Sequence, residues 1–252
     1  MKLDRVLRDT ALIGLFVLTG MAGLVAWLNI RGEAAIDPKR PLRRAEPALV
    51  AQGEKLTRAG DGLGCHTARG DPPYAGGRAI ETPFGNVYSS NLTPDTDAGL
   101  GRWSADEFWR ALPHCRSKSG RLLYPAFPYP NYTRFSRGDA EAIFAHLQSL
   151  RAVAQAIRSH TLGFPFDTQA ALAVWRALYF RPAAHVDDPE RSAEWNRGAY
   201  LVEVLGHCNA CHSARNALGA TRSTLDLQGG LIPVQNWYAP SLASPHEASV
   251  AA

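Results

Sequence analysis

GHCNACHSAR (206–215) and GDGLGCHTAR (60–69) align without a gap at an offset of 146 residues, and this pairing decides how the chain is read. Gly60 meets Gly206, Cys65 meets Cys211, His66 meets His212 and Arg69 meets Arg215. Upstream, with one inserted residue, QGEKL (52–56) meets RGAYL (197–201), and downstream YSSNLTP (88–94) resembles YAPSLAS (238–244). Self-similarity of this extent marks two copies of one module. The copies differ at one telling position, where Gly62 stands opposite Cys208. They also differ in extent: the second has no counterpart of residues 103–150, so it is expected to be incomplete.

CNACH (208–212) is the C-x-x-C-H pattern of covalent haem attachment. Two thiols three positions apart each add to one vinyl group of a porphyrin, and His212, next in line, offers an imidazole nitrogen to iron. A redox dithiol also uses C-x-x-C, but in a βαβ setting that these flanks lack. A zinc site needs a further ligand pair, and only the other copy supplies one. Cys65 and His66 alone are a common dipeptide. Inside the repeat they read as a second site, with one thioether anchor and an iron-ligating histidine. The rival reading is a decayed site in which Cys65 is merely a buried thiol. The expected cofactor is c-type haem (heme c), held by Cys208, Cys211 and His212 and, at the first site, by Cys65 and His66. His66 and His212 are the expected metal ligands, and no catalytic residue is expected.

The composition of the 252 residues, 46% hydrophobic and 20% charged, is that of a folded chain. A formal charge of +4 without a basic aromatic stripe gives no sign of nucleic acid. Four cysteines are too few for a disulfide framework at this length. Residues 11–30, ALIGLFVLTGMAGLVAWLNI, are long and apolar enough to cross a bilayer, with Trp27 near one interface. The run exceeds a usual signal-peptide core of roughly 7–15 residues, which favours an uncleaved anchor over a cleaved signal. Lys2, Arg5 and Arg8 precede the span, while Arg31, Lys39, Arg40, Arg43 and Arg44 follow it. By charge alone the body would be cytoplasmic. Covalent haem attachment takes place on the exported side of bacterial membranes and overrides that count, with the basic linker resting on anionic headgroups.

Residues 31–47 read as a linker and 70–101, rich in Gly, Pro, Asn and Asp, as loop. Helices are predicted from Ala48, over SADEFWRAL from Ser104 with Glu107 completing a capping box, over 136–150 and over 168–180. No alternating strand pairs are evident, so the expected class is mainly α, behind one N-terminal transmembrane helix. The expected division is a 1–30 anchor, a 31–47 linker, a first domain at 48–155, a connection at 156–190 and a truncated second domain at 191–252.

YAGGRAIETPFGNVYSSNLTPD (74–95), GLGRWSADEFWRAL (99–112), GRLLYPAFPYPNYTRFS (120–136) and SAEWNRGAYLVEVLGHCNACHSARNALGA (192–220) resemble the membrane-anchored multi-haem cytochrome c subunits of periplasmic dehydrogenases for alcohols, aldehydes, gluconate and N-heteroaromatics. The resemblance implies a class I cytochrome c-like domain, repeated with the second copy incomplete, and electron transfer from a periplasmic dehydrogenase to quinone or a terminal oxidase, with the anchor in the inner membrane and the body in the periplasm. Some members of that family carry a sixth-ligand methionine at the position of Phe127 or near Phe135. Here the only methionines are Met1 and Met21. Each iron must then be five-coordinate, take a second histidine or bind water. His114, His146, His160 and Cys115 are the nearby donors, and Trp103, Trp109 and Tyr124 are pocket-wall candidates, although ordinary packing accounts for all of them. The competing functions are a five-coordinate haem protein that binds a small ligand or peroxide, and a truncated relic with little flux.

Overall fold

Two helices set the frame. Pro47 opens α2 (Pro47–Ala59) at the position where its missing amide hydrogen goes unneeded. Ser136 caps α6 (Arg137–Ser149), its hydroxyl accepting from the Asp139 amide at 3.1 Å. The two helices approach so closely that a Cβ on Gly53 would overlap the Ala142 carbonyl oxygen. Around this contact lie Leu56, Leu112, Ile143 and Leu147, with Phe108 stacked on Phe144 at a centroid distance of 4.9 Å. Phe108 comes from α4 (Ala105–Ala111), which the expected capping box opens: Glu107 N donates to Ser104 Oγ at 3.1 Å, and Ser104 N to Glu107 Oε2 at 2.8 Å.

The second motif is led in by α8 (Ala193–Tyr200), which runs on into a π-helical turn at Leu201–Leu205. The turn falls where the two sequence copies differ by one residue, and a single insertion into a helix is absorbed in just this way. Tyr200, Val204 and Leu205 then bury themselves in the same core as Phe135 and Phe144. Arg197 reaches across to Asp139 at 3.2 Å, and the Ser136 amide donates to the Tyr200 hydroxyl at 3.1 Å.

The computed structural model describes residues 2–33, 35–37, 46–221, 226–232 and 234–243, so Lys39, Arg40, Arg43, Arg44 and the last residues from 244 lie outside it. The helices expected from Ala48 and Ser104 and over 136–150 and 168–180 are present, the last as α7 (Gln169–Tyr179). The expectation of no strands is corrected. Ala79–Thr82 (β1) pairs antiparallel with Gly85–Tyr88 (β2), and Thr161–Leu162 (β3) adds to the far edge of β2. Gly230–Ile232 (β4) pairs with Trp237–Ala239 (β5). These strands have two to four residues, too few for alternation to show.

The N-terminal helix α1 (Lys2–Ile30) is long and apolar enough to cross a membrane over Asp4–Ile30. Its last turns pack on α7. The Asn29 amide donates to Ala173 O at 2.9 Å, while Arg116 donates to Asn29 O at 2.9 Å and to Glu33 at 2.7 Å. Along most of its length the apolar side chains are bare, Phe16 at 80% exposure and Leu18 at 66%.

Substituting Gly53→Ala is expected to destabilise the chain by about 1–3 kcal/mol through overpacking. Gly138→Ala, at an exposed position of α6 with open space around it, is expected to stabilise by about 0.5–1 kcal/mol. Chemical denaturation midpoints of the two variants check both signs.

Candidate haem site

Cys65 ends the single helical turn α3 (Gly62–Cys65) with His66 as its C-cap, and Cys211 and His212 lie in the single turn α9 (Asn209–His212). The His66 amide donates to Gly62 O and the His212 amide to Cys208 O, each at 3.0 Å. The rings are fixed alike. His66 Nδ1 lies 2.8 Å from Ser90 O, and His212 Nδ1 lies 2.7 Å from Pro240 O. A carbonyl oxygen only accepts, so Nδ1 carries the hydrogen in both rings, and in the neutral ring Nε2 then presents its lone pair. This is the tautomer a metal-ligating histidine adopts when its other nitrogen is held from outside. Burial pushes His66 below its ordinary pKa, which keeps that lone pair free.

The same contacts surround each turn. The histidine carbonyls accept from Gly76 N at 2.8 Å and Gly229 N at 2.9 Å. The Arg78 guanidinium donates to Gly64 O, and Arg215 donates to Ala210 O at 2.7 Å, the carbonyl that precedes the cysteine in each motif. Neither arginine role is visible in sequence, because Arg78 and Arg215 do not align with each other.

Cys65 and Cys211 line one cavity of about 620 Å³, walled by Phe84, Tyr124, Phe127, Pro128 and Trp175, with Arg78 and Arg215 also on its lining. Flat apolar walls and cations suit a porphyrin and its carboxylates. Burial pushes the Cys65 and Cys208 thiols up from their ordinary values, with Asp61 adding to the shift at Cys65 and Cys211 to that at Cys208. Cys65 and Cys211 are on this lining and His66, Cys208 and His212 are not, so the fit to haem rests on the chemistry of the donor set. Among the described residues no group of three or more His, Cys, Asp or Glu forms a cage for a bare metal ion.

The other candidates scatter. Phe127 and Tyr124 are on the cavity wall, but Phe135 is in the main core, and Trp103 and Trp109 pack against that core. His146 is buried on α6, edge-on to Tyr74 at 6.2 Å. His160 Nδ1 accepts from the Tyr88 amide at 3.1 Å, and His114 is buried with its carbonyl taking a 2.7 Å bond from Arg176. None of these three histidines is among the cavity-lining residues; His207 is, with Nδ1 3.0 Å from Leu205 O and its ring edge-on to Tyr132. Cys115 is fully buried, and burial pushes its thiol up to about 12. Asn131 is a further residue that sequence reasoning missed. Its amide donates to Glu203 O and, at 2.7 Å, to Asn209 Oδ1, joining α5 (Tyr129–Tyr132) to the second motif.

Over 236 residues the chain is 34% identical to a diheme cytochrome c-type protein of Cereibacter sphaeroides, covering 89% of this chain and 75% of that relative. The chain belongs to the c-type cytochromes that include the cytochrome subunits of dehydrogenases. It is 40% identical over 212 residues to the gluconate 2-dehydrogenase cytochrome c subunit of Pantoea cypripedii, covering 79% of this chain and 47% of the relative. It is 44% identical over 196 residues to one of the nicotinate dehydrogenase subunits of Pseudomonas putida, covering 77% of this chain. The cytochrome thus spans less than half of the gluconate relative and 16% of the nicotinate relative. No family model matches it.

In this cytochrome Asn131→Ala is expected to cost about 1–3 kcal/mol, because it removes a buried bond to Asn209 and a part-buried one to Glu203. The midpoint of chemical unfolding measures the loss. Cys115 is expected to resist iodoacetamide at pH 8 in the folded protein and to react once unfolded, since a neutral buried thiol is a poor nucleophile. Mass spectrometry of the alkylated peptide reads this.

Proposed function

We propose that the chain is a membrane-anchored c-type cytochrome with two haem sites, one at Cys208, Cys211 and His212 and one at Cys65 and His66. It passes electrons from a periplasmic dehydrogenase to quinone or a terminal oxidase. The observation that carries this reading is the matched pair of histidines. Each has its Nδ1 held by a backbone carbonyl and its Nε2 free, and each neighbours a cysteine on one shared cavity.

Bound at these sites, haem supplies a one-electron iron couple whose potential depends on its axial ligands and on burial. The chain's own residues hold and orient it. His66 and His212 would each offer an imidazole nitrogen to it, the Ser90 and Pro240 carbonyls stop those rings turning, and the aromatic wall would keep water away. Support for the dehydrogenase partner comes from the gluconate relative, which is named as a dehydrogenase subunit. Support for the anchor comes from α1, whose bare apolar side chains suit lipid rather than water. We place the anchor in the inner membrane and the body in the periplasm, where covalent attachment takes place. The division into domains at 48–155 and 191–252 belongs to the same proposal, and the recurrence of the histidine and arginine contacts supports it.

A five-coordinate haem protein that binds a small ligand is the second reading. It is favoured by Phe127, whose ring stands on the cavity wall and offers no donor. Expression with a haem-attachment system and a visible spectrum of the reduced protein separate the two. Sharp low-spin α and β bands are expected for electron transfer; a broad spectrum that sharpens with carbon monoxide supports the second reading. Cys65→Ala is expected to lower the covalently attached haem per chain from two to one, as counted by intact mass.

A further inference from the structure

Residue 62 is where the first motif departs from the second, and its neighbours are specific. A Cβ on Gly62 would stand 2.8 Å from Thr57 Cγ2, 3.2 Å from the Thr57 carbonyl oxygen and 3.6 Å from Tyr74 Cε1. Real Cβ atoms do not approach carbon as closely as the first of these distances. Relief by rotating Thr57 is blocked, because its hydroxyl donates to Gly53 O at 2.7 Å, one turn back in α2, in a buried setting. A β-branched side chain has few χ1 wells, and this bond holds the one that aims the methyl at residue 62. Moving the helix turn itself is resisted by Gly53, which lies against the Ala142 backbone.

We propose that the first haem site is built for one thioether: Thr57, locked onto Gly53, fills the space that the Cβ of a first cysteine would need. The inference rests on the haem reading of Cys65 and His66 and sharpens it. Gly62 is then one half of an interlock rather than a bare loss, and Thr57 is the other half. In the covalent step the Cys65 thiol adds across one vinyl group. A sulfur–carbon bond forms, the vinyl π bond breaks, and the thiol proton passes to the second vinyl carbon, so no oxidant or reductant is consumed. The other vinyl group meets no thiol and stays intact. Thr57 touches no reacting atom and acts as a positioning residue.

Two experiments on the full chain test this. The first needs no haem at the site: a double-mutant cycle of Gly62→Ala, Thr57→Ala and the pair, read by the denaturation midpoint. Gly62→Ala is expected to lower the midpoint, and adding Thr57→Ala to recover part of the loss. Strictly additive shifts would overturn the interlock. The second compares Gly62→Cys with Gly62→Cys/Thr57→Ala after expression with the attachment system. The readouts are the mass of the tryptic peptide 59–69 and its pyridine haemochrome band, which lies at longer wavelength while a vinyl group survives. The single variant is expected to keep the long-wavelength band, and only the double variant to lose it. Conversion in the single variant, or in neither, would overturn the proposal. Wild-type protein with no haem on that peptide would instead sink the haem reading of the site, while the cycle still decides whether Thr57 and Gly62 interlock.

Discussion

The close contact between α2 and α6 governs where both motifs end up. Gly53 lets the helix backbones meet at Ala142, and α2 then delivers the first Cys-His turn a few residues beyond its C-terminus. The helix that leads into the second motif rests on the same pair, because Tyr200, Val204 and Leu205 share a core with Leu56, Phe135 and Phe144. One core therefore brings Cys65 and Cys211, from both turns, to one cavity. Cores close-packed in this way transmit small changes in volume, so a methyl group at position 53 reaches the chemistry even though it touches neither histidine.

That convergence modifies how the repeat is understood. Two cytochrome-like modules in series would have two separate cores, yet the helix that leads into the second Cys-His turn is buried in the core that carries the first. The Asn131–Asn209 bond ties them again, at the first x of C-x-x-C-H. The recurring capture of histidine Nδ1 by a carbonyl, Ser90 O in one case and Pro240 O in the other, is what two copies of one ancestral turn would keep.

Much of this was legible in the residues. The gapless alignment of GDGLGCHTAR with GHCNACHSAR located both turns, and the Ser104–Glu107 and Ser136 signals located two helix starts, because capping is local chemistry written within four residues. The single inserted residue before GHC was visible too, but its form, a π turn, was not. The strands escaped for a physical reason. β1 and β2 are four residues each, and β3 joins them from some seventy residues away, so no local pattern announces the pairing. The partners of Asn131, Arg78 and His207 are likewise set by tertiary approach. The histidines weighed as nearby donors, at 114, 146 and 160, lie off the cavity lining, with His146 edge-on to Tyr74 and His160 bonded to the Tyr88 amide. Their spacing from the motifs carried no information on which way they would face.

The central claim is that both Cys-His turns hold haem covalently in one chain. Tryptic peptide mapping of protein purified from a host with haem-attachment machinery tests it most directly. Haem is expected on two peptides, residues 59–69 through Cys65 and residues 198–215 through Cys208 and Cys211. Haem on the second peptide alone, with Cys65 recovered as a free thiol, would contradict it.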